Sequence, residues 1–250
     1  MTTFALLHGG QHGGWCWDLV ADELATRGFR AVAPDMPIED PAAGAREWAQ
    51  SVSDALGDTD DDVVAVAHSM GGMALPVLAA MRPVRRMVFL GAVVPVPGMS
   101  FLEYLGTPEG AQAVTMPMGP DQEPDELGRG ACSWATARTY FYPDVPESLA
   151  RSSWEKLRSN ALTVFVEPCP LDTWPDVPST SLVLTEDAAV SPDWQRLVAR
   201  GRLGSDLVEL PGSHSPFLTR PAELADALVR IAGSPDSTTV TPSIGTAATR

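Results

Sequence analysis

The run Val63-Val64-Ala65-Val66-Ala67-His68-Ser69-Met70-Gly71-Gly72 carries an apolar stretch straight into a serine set among small residues. A near-continuous apolar run without polar alternation reads as a strand covered on both faces. Gly71 opens a segment of helical length, 71–81. A serine between a strand end and a helix start is held in a strained backbone conformation, and its neighbours must be small so that strand and helix can approach. The first glycine of the usual Gly-x-Ser-x-Gly pattern is here Ala67, which keeps the small side chain. Ser69 is the candidate nucleophile.

Outward from this point the same rhythm repeats. Short apolar, β-branched runs at 3–8, 29–34, 63–68, 86–94, 181–185 and 206–210 predict strands, and 15–27, 44–56, 71–81, 147–159, 192–200 and 221–231 predict helices. Strand and helix in alternation predict an α/β domain with a mostly parallel central sheet flanked by helices. Between 95 and 178 the alternation stops, and Pro, Gly and aromatic residues interleave with short helical pieces. This predicts a mainly helical cap inserted into a core of 1–94 and 179–232. Residues 233–250 are rich in Ser, Thr, Pro and Gly and read as a disordered tail.

Composition narrows the function. The 250-residue chain fits one larger α/β domain. Its formal charge of -15 argues against nucleic acid and anionic membrane surfaces, which need a basic footprint. The three cysteines, Cys16, Cys132 and Cys169, form no Cys-x-x-Cys pair and read as reduced packing residues. The first ten residues lack a basic leader with a long apolar run, and no later apolar stretch reaches the ~18 residues of a membrane span, so a cytoplasmic protein is expected.

A serine needs a base, and the base needs a third group to hold it. Of four histidines, His68 adjoins Ser69 and should point away, His8 should bond within its loop, and His12 should border the pocket. His214 remains, in Gly212-Ser213-His214-Ser215-Pro216, after the last strand and before the last helix. The acid should follow a strand between the two in chain order. Ser181-Leu182-Val183-Leu184-Thr185-Glu186-Asp187 ends in two carboxylates; Asp187 is chosen, with Glu186 its competitor. Asp35 precedes the serine and reads as a turn residue. Oxyanion donors are expected from the Met70 N–H, at a helix N-terminus, and from the Gly10 N–H in His8-Gly9-Gly10-Gln11-His12-Gly13-Gly14-Trp15. The Met70 side chain should border the pocket as well.

Together these pieces resemble the α/β-hydrolase superfamily, and more narrowly the small plant-type esterase and hydroxynitrile lyase family with its bacterial relatives. The matches are His8-Gly9 through Trp15, the elbow at Ser69, Asp187 followed by Ser191-Pro192 and Gln195, the His214 motif, and Thr139-Tyr140-Phe141-Tyr142-Pro143-Asp144-Val145 in the cap. They span about residues 3–231. The resemblance implies an α/β-hydrolase fold and brings a homodimer into consideration. Its lyases resemble this scaffold but carry a threonine after the first motif histidine and a lysine after the catalytic one. Here those positions hold Gly9 and Ser215, and the chain's sole lysine, Lys156, falls in a predicted cap helix. Without a cation beside the base, departing cyanide has no electrostatic partner.

The expected reaction is therefore hydrolysis of a small or medium apolar carboxylic ester through an acyl-enzyme, with no metal or organic cofactor. Gly9, His12, Tyr104, Trp134, Phe141, Tyr142 and Ser215 are the expected substrate contacts, with Tyr140 and Trp174 as further cap aromatics. Two alternatives use the same scaffold: a lyase, cyclase, decarboxylase or transferase acting on a biosynthetic intermediate, and a ligand-binding receptor. Met70 beside the nucleophile also brings peroxide chemistry to mind. Ser69 sets aside the epoxide hydrolases and dehalogenases of this fold, which place an aspartate at the elbow.

Overall fold

Among the residues described by the computed structural model, 1–58, 62–117 and 121–234, six strands form one sheet. They are β1 (Thr2–Leu7), β2 (Arg30–Val32), β3 (Asp62–His68), β4 (Arg86–Leu90), β5 (Ser179–Leu184) and β6 (Asp206–Leu210), in the order β2-β1-β3-β4-β5-β6. Every neighbouring pair is parallel, so all carboxyl ends meet along one edge of the sheet. The helices are α1 (Asp18–Thr26), α2 (Ala45–Leu56), α3 (Leu75–Met81), α4 (Phe101–Leu105), α5 (Trp134–Thr136), α6 (Glu147–Trp154), α7 (Thr163–Val166), α8 (Pro192–Val198), α9 (Pro216–Thr219) and α10 (Pro221–Gly233).

The period of two along each strand sorts the side chains into two apolar layers. On one face Ala5 and Leu7 of β1, Val63, Ala65 and Ala67 of β3 and Met87 and Phe89 of β4 pack with Trp48 and Val52 of α2, Leu75 and Leu78 of α3 and Trp194 of α8. On the other, Phe4, Leu6, Val64, Val66, Val88 and Leu90 pack with Val20 and Leu24 of α1 and Leu224 and Leu228 of α10. Both faces are dry, as the unbroken apolar runs require.

Two elements end four or more residues earlier than the sequence predicts, for identifiable reasons. The strand expected over 86–94 stops at Leu90, because the Val93 N–H leaves the ladder for the Ser69 carbonyl at 3.1 Å. The helix expected over 147–159 stops at Trp154; beyond it the Arg158 N–H bonds Gln11 O at 2.7 Å, and Asn160 exchanges backbone bonds with Gly130 at 2.7 and 2.9 Å. The described residues between β4 and β5 form short helices and isolated bridges, among them Ser100 to Pro168 and Gly130 to Asn160. Nearly all of the tail expected over 233–250 lies outside the described residues. No helix among the described residues is long and apolar enough to cross a membrane.

Candidate active site

Four strand ends supply the site. Ser69 follows β3 with φ 51°, a left-handed conformation rare for a residue with a side chain. The turn Ser69–Met73 continues into α3, which puts the Met70 N–H at a helical N-terminus. Close packing explains the glycines here: a Cβ on Gly72 would fall 2.0 Å from Val93 O.

His214, in the turn after β6, is 1% exposed, and the Asp187 side chain after β5 is fully buried. His214 Nδ1 lies 3.0 Å from each carboxylate oxygen of Asp187. Asp187 Oδ1 also accepts the Ala189 and Val190 N–H groups at 2.8 and 3.0 Å, which fixes the carboxylate in place. Because a carboxylate accepts, Nδ1 of the neutral ring carries the proton and Nε2 is left as its basic nitrogen. Glu186 is exposed and takes no part in this contact. Phe141 stacks on the His214 ring at 5.8 Å.

The remaining histidines are buried and neutral. Burial drops His8 to about 4 and His12 to about 3, and pushes His68 far below its ordinary value. His8 Nε2 accepts the Met36 N–H and its Nδ1–H bonds Gly9 O, both at 2.9 Å. His12 Nδ1–H bonds Gly10 O at 2.9 Å, while Nε2 accepts the Tyr142 hydroxyl at 2.9 Å. His68 turns from Ser69, its Nε2 2.8 Å from the His214 carbonyl. Asp35 accepts the Gly14 N–H at 2.7 Å, a turn contact.

Ser69, His214, Gly10 and Met70 line one cavity of about 300 Å³. Phe101, Val114, Met116, Phe165 and Val190 contribute to a mainly apolar wall, to which Gln11 and Asn160 add polar groups. Its lining contains no Asp, Glu, Lys or Arg among the described residues. Leu102, Leu162 and Val166 belong to the lining yet are 57%, 48% and 54% exposed, so they form an apolar rim at the mouth.

Of the expected substrate contacts, His12 and Phe141 line the cavity and five residues do not. Gly9 is packed behind it, where a Cβ would come 2.8 Å from His68 Nδ1. Tyr104 is turned into the core, donating to Glu109 and accepting the Trp194 indole N–H, both at 2.8 Å. Trp134 is held under the Arg151 guanidinium at 3.8 Å and against Trp154. Tyr142 is committed to His12. Ser215 is fully buried in the turn that starts α9. Trp174 stacks on Phe89 at 6.2 Å. The wall from α7 escaped the sequence reading, although Leu162, Phe165 and Val166 stand at the i, i+3, i+4 spacing of one helical face.

A parallel sheet that brings a left-handed serine, a buried acid and the histidine it holds to one apolar cavity is the layout of the α/β-hydrolase class. The profile of the alpha/beta hydrolase family matches residues 4–227, and the chain belongs to that family. It is 26% identical to a pyrethroid hydrolase of Sphingobium wenxiniae, covering 94% of this chain and 89% of the relative. It is likewise 26% identical to methylesterase 7 of Arabidopsis thaliana, covering 92% and 95%. In fold it is similar to polyneuridine aldehyde esterase, with TM-score 0.77 at 18% identity over 93% of this chain and 99% of that one.

Proposed function

We propose that this protein hydrolyses uncharged carboxylic esters, with Ser69 as nucleophile, His214 as base and Asp187 as the group that orients His214. The observation that carries the reading is the His214 ring, pinned through Nδ1 by both oxygens of a buried carboxylate, in one cavity with a left-handed Ser69. His214 Nε2 takes the Ser69 proton as Oγ attacks the ester carbonyl. The tetrahedral oxyanion receives the Gly10 and Met70 N–H groups, and His214 returns its proton to the leaving alcohol. Water, activated by the same histidine, then releases the acid.

The relatives named as a pyrethroid hydrolase and a methylesterase support the reaction class. A charge-free wall favours an uncharged ester, since a buried unpaired charge is strongly disfavoured. The exposed rim of Leu102, Leu162 and Val166 suits an apolar group reaching past the cavity. In this reading residues 95–178 act as a cap over the core of 1–94 and 179–232, and the three free, buried cysteines fit a reducing cytoplasm.

A time course with p-nitrophenyl esters of rising chain length, run beside Ser69→Ala and His214→Ala, tests the reading. Both variants should lose about ten-thousand-fold or more in kcat. A Ser69→Ala protein that turns over at the wild-type rate would refute it.

A further inference from the structure

We infer that Gln11 is a positioning residue, through which the segment between β4 and β5 aligns the Gly10 N–H with the developing oxyanion. The inference rests on the ester-hydrolase reading and extends it to a residue that touches none of the reacting atoms.

Gln11 directly follows Gly10 and has φ 61°, the only described residue besides Ser69 that adopts a left-handed conformation without being glycine. Such a conformation persists where the surroundings over-determine it. Here they come from the β4–β5 segment, which engages three polar groups of Gln11. The Cys132 N–H donates to Gln11 Oε1 at 2.9 Å, and the Arg158 N–H donates to Gln11 O at 2.7 Å. The Gln11 N–H donates to Asn160 Oδ1 at 3.4 Å. The two stretches that supply these groups are tied to each other by the paired backbone bonds of Gly130 and Asn160. Asn160 is 6% exposed and held through its own amide, which donates to Ala161 O at 2.7 Å.

The Gly10 N–H belongs to the peptide joining Gly9 to Gly10, whose oxygen bonds His8 Nδ1–H at 2.9 Å, and the peptide joining Gly10 to Gln11 holds the far end of that plane, at the Gly10 Cα. The oxygen of this second peptide accepts His12 Nδ1–H within the loop, and its N–H reaches Asn160 in the β4–β5 segment. Glycine has little torsional preference of its own, so without the hold on the peptide that follows it Gly10 would shift and its N–H would tilt. Gly10, Gln11, Gly130 and Asn160 all line the cavity with Ser69. The grip on Gln11 therefore acts at the place where an oxyanion must be met. Because that charge exists only after attack, loosening the grip should lower transition-state binding and leave ground-state binding intact.

The test uses the full chain, a short-chain p-nitrophenyl ester and two variants. Gln11→Met keeps the side-chain volume but removes the Oε1 acceptor. Asn160→Ala removes the acceptor of the Gln11 N–H without altering the loop, and it serves if Gln11→Met does not fold. Each should lower kcat about ten-fold, a misalignment effect smaller than loss of a donor. KM should stay within about two-fold, as an interaction made only in the transition state demands. Affinity for a trifluoromethyl ketone, which binds serine as a tetrahedral adduct, should drop in the same proportion as kcat. A folded variant with unchanged kcat and ketone affinity, or with a raised KM alone, overturns the inference and leaves Gln11 a packing residue. Turnover that survives Ser69→Ala overturns the hydrolase reading instead, and this inference with it.

Discussion

Within the sheet, β3 alone buries Val63, Ala65 and Ala67 on one face and Val64 and Val66 on the other. Across 121–160 the buried apolar cluster shrinks to Cys132, Ala137, Phe141, Tyr142, Val145 and Ala150. Specific polar contacts take over there. Arg138 Nη1 donates to the Tyr142 and Val145 carbonyls at 2.6 Å each, Trp154 Nε1 to Cys132 O at 3.1 Å, and the Ser133 N–H to Asp121 Oδ1 at 2.7 Å. Non-directional burial sets the scaffold, whereas directional bonds set the cover over 121–160 and tie it to the loop that holds Gln11. Stability should therefore reside mainly in the first region and adaptability in the second.

The largest effect should come from the scaffold. Phe4→Ala, at a fully buried position of β1, should destabilise by about 3–5 kcal/mol. Urea unfolding would register it as a lower midpoint at unchanged slope, and a loss under 1 kcal/mol would break the contrast.

An intermediate effect should come from the join. Buried neutral, His12 titrates at about 3 in the folded protein and at roughly 6.5 once unfolded. Below that unfolded value the denatured chain binds the extra proton, so the contribution is complete above about pH 6.5 and is lost as pH falls toward the folded value. The slope in that window is about 1.4 kcal/mol per pH unit for each such histidine. His12→Gln should flatten the decline of the unfolding free energy, read from urea titrations between pH 6.5 and 4.5, by about that amount. Equal slopes in the two proteins would show that His12 is protonated in the fold.

The smallest global effect should come from within the cover. Asp121 accepts from the Ser133 N–H and hydroxyl and from the Thr136 hydroxyl, at an exposed site. Asp121→Ala should reduce global stability by about 1 kcal/mol or less. Limited proteolysis should nevertheless cut the segment around 121–136 faster, and an unchanged cleavage pattern would mean that apolar packing holds it.

The scaffold was legible because strand burial leaves a period in the sequence. All six strands fall where apolar runs predict them, and the four residues at the carboxyl edge follow from which strand precedes them. Asp187 and Glu186 are adjacent, and only the fold shows that one is buried against His214 while the other faces outward. The cover was less legible. Tyr104 and Trp134 are aromatic in a region expected to hold substrate, but an aromatic side chain serves core packing equally well, and nothing local distinguishes the two uses. Gln11 reads as an ordinary loop residue, since partners more than a hundred positions away leave no periodic trace.

The charge-free wall has a consequence for the end of the cycle. An ester enters as a neutral molecule, and under the proposed chemistry its acid half leaves as an anion at neutral pH. That anion finds no arginine or lysine on the described lining, and the chain around it carries a formal charge of -15. Desolvation inside the cavity and repulsion from the protein's field both act to expel it. Hydrolysis thus changes which side of the mouth its own product prefers.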